Sequence, residues 1–157
     1  MIKSRHFRLN WILINEIAIG PAPIKEKHLL IIKNEGIKSI FSLCGYDEAP
    51  FLDQMSDLFK CERFVLPDHK AGKIVTSQQI LDALVILKNL KKEGPVFIHC
   101  VAAMERSPLI CISWLIKMHE LKLDEALNYL MQSHVGTNPL AEQLNVLKEE
   151  KFINTDI

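Results

Sequence analysis

The sequence has no excess of charge of either sign: 19 Lys plus Arg stand against 19 Asp plus Glu. That balance argues against broad binding to nucleic acid or to an anionic membrane, which needs a basic face, although it leaves room for a local basic pocket. The sequence also lacks a long hydrophobic run. Asn15 and Glu16 interrupt WILINEIAI, and Lys117 ends ICISWLI. Nothing approaches the roughly 20 apolar residues of a membrane span. The opening MIKSRHFRLN has no apolar core of the kind a secretory signal carries. The four cysteines, Cys44, Cys61, Cys100 and Cys111, are widely spaced and include no CxxC pair, which fits neither a zinc site nor a dense disulfide framework. There is no internal repeat, low-complexity tract or linker, so one domain over 1–157 is expected. The expectation is a soluble, cytoplasmic monomer that binds neither nucleic acid nor membrane.

What is present is ordinary globular composition, 48% hydrophobic and 24% charged. WILINEIAIG predicts a strand or hairpin that ends at Gly20 before PAP. IKEKHLLIIKNEG predicts a helix stopped by Gly36. IKSIFSLC (37–44) reads as a buried strand, EAPFLDQMSDLF as an irregular helix, and ERFVLP (62–67) as another strand. Thr76 and Gln79 form a capping-box pattern at the head of a helix that Gly94 ends. VFIHC (96–100) is nearly all apolar, as a central parallel strand covered on both faces should be. Ser107-Pro108 predicts a helix start with serine at the cap and proline in the first turn. LDEALNYLMQS and NPLAEQLNVLKEEK predict two further helices. This alternation predicts an α/β fold: a central, mostly parallel sheet of four to five strands, with helices on both faces.

The segment VFIHCVAAMERSPLICISWLI joins a greasy strand to a greasy helix through a loop carrying a cysteine and an arginine. In parallel α/β sheets, ligands bind beyond the carboxyl ends of strands, and Cys100 sits at such an end. The helix begins near Arg106 and Ser107. The loop N–H groups and the helix dipole therefore favour a tetrahedral oxyanion such as phosphate. Helix N-termini and cationic neighbours lower a cysteine pKa from near 8.5 to roughly 3.5–7.5, so a thiolate nucleophile is the expectation at position 100. Arg106 supplies a planar fork for two phosphate oxygens. The chemistry implied is in-line displacement at phosphorus through a cysteinyl-phosphate. No metal or other cofactor is required, because N–H groups and Arg106 neutralise the charge. Asp68, in LPDHKAG at the end of the upstream strand, is the candidate proton donor, with Asp47 and Glu48 in reserve. Gly72 lets that loop move over a substrate. Ser107 is placed to donate to the Cys100 sulfur.

His99-Cys100-Val101-Ala102-Ala103-Met104-Glu105-Arg106-Ser107 resembles the HCxxGxxR[S/T] loop of cysteine-dependent protein phosphatases. With Asp68 upstream, the order is similar to the dual-specificity branch. The resemblance is strongest over Phe64–Trp114. It implies Cys100 as nucleophile, Arg106 and the loop from Val101 to Arg106 as phosphate binders, and Asp68 as general acid. It further implies that His99 tunes the thiolate and that Ser107 assists breakdown of the phosphoenzyme. The implied substrate is a phosphorylated protein, carrying phosphotyrosine and also phosphoserine or phosphothreonine, since a chain of this length should form a shallow cleft. By the family's sheet order, the Cys44 strand neighbours the Cys100 strand. Cys44 is therefore a redox candidate, with a buried strand-end cysteine as the simpler alternative.

Two departures stand out. The family has glycine where Ala103 stands. If that residue needs positive φ, alanine costs about 1–2 kcal/mol. Glu105 places a carboxylate beside the phosphate loop, and the loop lacks the lysines of phosphoinositide-directed relatives. Taken singly, Cys100 fits a small core residue, Asp68 a Pro-Asp turn, Ser107 a helix cap and His99 a satisfied core histidine. Competing functions are a phosphate-binding module that docks phosphorylated partners without turnover, a phosphatase of a non-protein phosphoester, and a sulfurtransferase or arsenate reductase.

Overall fold

The computed structural model describes residues 6–157; residues 1–5, which open MIKSRHFRLN, lie outside the described residues. The organising element is β5 (Val96–His99), whose four residues are all buried. A short apolar strand of this kind is satisfied only between two neighbours and under two helical layers. Its neighbours are β2 (Ile17–Gly20) and β3 (Ser39–Ser42), both parallel to it. β1 (Asn10–Leu13) pairs antiparallel with β2, and β4 (Lys60–Arg63) pairs parallel with β3. The five-stranded sheet thus runs β1-β2-β5-β3-β4. WILINEIAIG is the hairpin of β1 and β2.

Alternation along β5 divides the core. Phe97 joins Ala18 and Ile40 on one face, under α1 (Glu26–Asn34) and the single turn α2 (Met55–Leu58). Val96 and Ile98 join Ile19 and Phe41 on the other, under α3 (Ser77–Lys91) and α4 (Arg106–His119). The capping box heads α3: Gln79 N–H donates to Thr76 Oγ1 at 3.2 Å, and Thr76 N–H donates to Gln79 Oε1 at 2.9 Å. α5 (Leu123–Ser133), α6 (Ala141–Val146) and α7 (Glu150–Asn154) complete the chain.

Three boundaries differ most from expectation. The helix read over EAPFLDQMSDLF is only the single turn α2, in which Met55 is the buried residue. The strand read as 62–67 begins at Lys60 and its ladder ends at Arg63. Its tail stays extended, with Phe64 N–H bonded to Ser42 O and Leu66 N–H to Leu43 O, both at 2.9 Å. The last helix is broken between α6 and α7, and the turn lets Phe152 reach the core at 0% exposure.

The register aligns Gly20, His99 and Ser42 across the sheet. The segments that follow β2, β5 and β3 therefore emerge side by side at the carboxyl edge, with the tail of β4 beside them.

Candidate active site

The loop between β5 and α4 is held from outside through its carbonyl groups. Ala22 N–H donates to Val101 O at 3.1 Å, and Asn138 N–H donates to Met104 O at 2.8 Å. His99 Nδ1–H donates to Cys100 O at 3.0 Å, and His134 Nε2–H donates to Ala103 O at 2.7 Å. In a trans peptide the C=O and the following N–H point in opposite directions. Anchoring these four carbonyls outward turns the N–H groups of Val101, Ala102, Met104 and Glu105 to the other side. Among the described residues, no N–H from Val101 to Glu105 donates to an acceptor in the chain. The result is a concave set of free donors, an anion nest of the kind the sequence implied.

Cys100 lies in this nest, 3% exposed, with its Sγ 3.2 Å from Ser107 Oγ. Ser107 is not the helix cap that its Ser-Pro context suggested. α4 begins at Arg106, so the cap position is Glu105, two residues before Ser107, and Glu105 makes no side-chain cap bond. The Ser107 hydroxyl faces sulfur instead. Ala103 has φ +56°, so this loop does need the left-handed conformation, and alanine bears the cost of about 1–2 kcal/mol that glycine avoids.

Arg106 is buried, and its guanidinium is gripped end-on by Glu48: Nη2 donates to Oε1 at 2.8 Å and Nη1 to Oε2 at 3.0 Å. Nη1 also reaches Leu66 O at 3.4 Å. A guanidinium has five N–H donors. These three contacts leave Nε–H and one Nη2–H, the side-on fork that suits two oxygens of a tetrahedral anion. The hydrogen bonds from Arg106 hold Glu48 below the usual carboxylate range. It is therefore ionised and unsuited to the reserve-acid role, and Asp47 does not line the cavity.

Asp68 caps the 3₁₀ turn His69–Ala71, its Oδ1 accepting from Lys70 N–H at 3.2 Å, and Gly72 closes the turn at φ +71°. His69 fastens this loop to the β5–α4 loop: its Nδ1 lies 2.6 Å from Glu105 Oε2 and 3.4 Å from Asp68 Oδ1. Asp68, His69 and Glu105 are also a grouping with metal-ligand chemistry, their donor atoms within 4.8 Å of one another. In the structure the His69 ring sits between the two carboxyl groups, with its Nδ1 nearer to Glu105 than to Asp68. Asp68, Cys100, Arg106 and Glu48 line one cavity of about 550 Å³.

His99 is buried, and burial pushes its pKa down to about 4, so it is neutral. Its hydrogen bond goes to the Cys100 carbonyl rather than to sulfur. Cys44 is fully buried two residues beyond β3, with Ser42 Oγ 3.6 Å from its sulfur. Burial pushes its thiol up, against the pull of Ser42 and Arg106. Cys111 is core, its thiol also pushed up by burial.

The structure brings the candidates Cys100, Arg106 and Asp68 to one cavity, with Ser107 beside the Cys100 sulfur. Sequence reasoning missed the grip of Glu48 on Arg106, the His69–Glu105 link, and the anchors His134 and Asn138. Those contacts join loops far apart in the chain, and no spacing rule announces them.

The profile described as dual specificity phosphatase, catalytic domain, matches residues 29–151. Dual specificity protein phosphatase 1 of Homo sapiens is 35% identical over 72 residues, 46% of this chain and 19% of that protein. Most of that relative therefore lies outside the match. Among solved structures, Tk-PTP in its active form superposes with a TM-score of 0.78 at 25% identity, covering 96% of this chain and 98% of the other. PTPMT1 in complex with PI(5)P superposes with a TM-score of 0.74 at 19% identity, covering 93% and 95%; at that identity the likeness is one of fold.

Proposed function

The chain belongs to the dual specificity phosphatase family, and from that footing we propose that it hydrolyses phosphotyrosine and phosphoserine or phosphothreonine in proteins through a cysteinyl-phosphate. In the first step the Cys100 thiolate attacks phosphorus. An S–P bond forms as the P–O ester bond breaks, and Asp68 gives its proton to the leaving oxygen. The loop amides and the free side of the Arg106 fork hold the three equatorial oxygens, whose charge is best met by preorganised donors. In the second step water attacks phosphorus and the S–P bond breaks. Asp68 takes the proton from water, and Ser107 Oγ–H donates to the departing sulfur. His99 acts by holding the loop backbone. The observation that carries this reading is the convergence of the Cys100 sulfur, free amides and a half-occupied guanidinium in one cavity.

Kinetics on phosphotyrosine, phosphoserine and phosphothreonine peptides, alongside phosphosugars and phosphoinositides, test the substrate class. Peptides are expected to give the highest kcat/KM; a phosphoinositide ahead of every peptide contradicts the protein reading. That alternative draws on a structural neighbour solved with PI(5)P. The loop VAAME opposes it, since it offers no lysine and adds the Glu105 carboxylate to the cavity. A docking module without turnover is the second reading, motivated by the left-handed Ala103. Turnover measured with EDTA present separates it from the first.

Two further results follow from the contacts. Glu48→Gln removes the charge-assisted grip on Arg106 and is expected to raise KM on the order of tenfold, with a smaller change in kcat. An unaltered KM removes Glu48 from the positioning of the arginine. Cys44 is the candidate resolving thiol for a sulfenic acid on Cys100. Peptide mapping after peroxide inactivation should find the two linked; if they are recovered unlinked, Cys44 is a core residue only.

A further inference from the structure

The Val101 and Met104 carbonyls are pinned by backbone N–H groups, from Ala22 and Asn138. The Ala103 carbonyl is pinned by a side chain, His134, which is 7% exposed. Ala103 is also the residue of this loop with a left-handed backbone, at φ +56° and without glycine's freedom. A strained residue persists where its surroundings over-determine it. Here the surroundings are specific. The carbonyl oxygen can only accept, so Nε2 of His134 carries the proton and Nδ1 is the acceptor. Nδ1 receives Asn10 Nδ2–H at 2.7 Å. Asn10 opens β1, and His134 follows directly on α5. The chain Asn10–His134–Ala103 therefore ties the phosphate loop to the edge of the sheet, with both ring nitrogens used.

We propose that His134 is a positioning residue of the phosphate site. Its bond to the Ala103 carbonyl, set by Asn10, holds that alanine in the left-handed conformation and so aims the following amide, Met104 N–H, at the bound anion. In this chain an imidazole does what a glycine at position 103 would do unaided. The inference rests on the reading of the cavity as a phosphate site.

The consequence is a coupling between two residues that a merely structural histidine would not show. Tungstate affinity, which needs the amide nest but no turnover, is measured by calorimetry on the wild type, His134→Ala, His134→Gln, Ala103→Gly and the Ala103→Gly/His134→Ala double variant. His134→Ala is expected to weaken tungstate binding about tenfold. His134→Gln, whose amide can replace the Nε2 donor, should recover most of that loss. In the Ala103→Gly background the loss should shrink to about threefold or less, because interacting sites are non-additive. Asn10→Ala is the milder variant if His134→Ala does not fold. It leaves the imidazole in place without its partner and should give a smaller loss, again suppressed by Ala103→Gly.

Equal losses in the two backgrounds overturn the proposal, as does unchanged affinity in a folded His134→Ala or Asn10→Ala protein. If the wild type binds tungstate yet turns over no phosphoester, the phosphatase reading fails while the coupling is still judged on binding. A wild type that does not bind tungstate sinks both.

Discussion

Replacement of Cys100 by serine is expected to abolish hydrolysis of p-nitrophenyl phosphate, by roughly 10⁴-fold or more, as removal of a covalent nucleophile does. Tungstate binding should stay within a few-fold of wild type. The asymmetry is the informative part. The oxyanion is held by the amides of the loop and by the free side of the Arg106 fork, and serine disturbs neither. What serine removes is a sulfur nucleophile that can attack phosphorus and leave again. The hydroxyl of Ser107, 3.2 Å from that sulfur, remains as a donor without a thiolate to serve. If the serine variant binds tungstate and also turns over at the wild-type rate, the covalent pathway is wrong.

Replacement of Asp68 by asparagine has the second largest expected effect, and its size depends on the substrate. Nitrophenolate is a good leaving group and departs with little help, so the loss on p-nitrophenyl phosphate should be less than about tenfold. Phosphotyrosine and alkyl phosphates leave as stronger bases and need the proton. There kcat should fall by about 10²–10³-fold, within the range for a general acid. Asp68 lies in a loop fastened to the phosphate loop through His69 and Glu105, which keeps its carboxyl at the cavity. Losses of equal size on both substrate types rule Asp68 out as the proton donor and point to a role in the turn alone.

Local patterns make much of this legible in the sequence. The apolar run VFIHC predicts β5 because four successive buried residues have few other places in an α/β fold. The Thr76–Gln79 capping box predicts the start of α3 because both reciprocal hydrogen bonds are local. Cys100, Arg106 and Ser107 are close in sequence, on one strand-loop-helix unit, so their meeting needed no tertiary information. Asp68 needed one topological rule, the shared carboxyl edge of parallel strands.

The rest depended on contacts between distant segments. Glu48 appeared as an acid in a loop; only the fold shows its carboxylate spent on Arg106. The cost at Ala103 was conditional until its φ was known, and the histidine that meets its carbonyl follows α5, a helix with no motif to mark it. Ser107 carries two sequence readings, a cap because Ser-Pro is a helix-start signal and a donor to the Cys100 sulfur, and the structure favours the second. The helix instead begins at Arg106, which turns the serine hydroxyl towards sulfur.

The central claim is that the Cys100 sulfur becomes covalently bonded to phosphorus during turnover. The direct measurement is mass spectrometry of acid-quenched enzyme mixed with a phosphotyrosine peptide, for the wild type, Cys100→Ser and Ser107→Ala. A phosphoryl adduct should appear on the peptide that contains Cys100. It should be absent in Cys100→Ser and should accumulate in Ser107→Ala, where sulfur leaves without its donor. An enzyme that turns over while carrying no adduct on that peptide, or carrying it on another residue, would contradict the account.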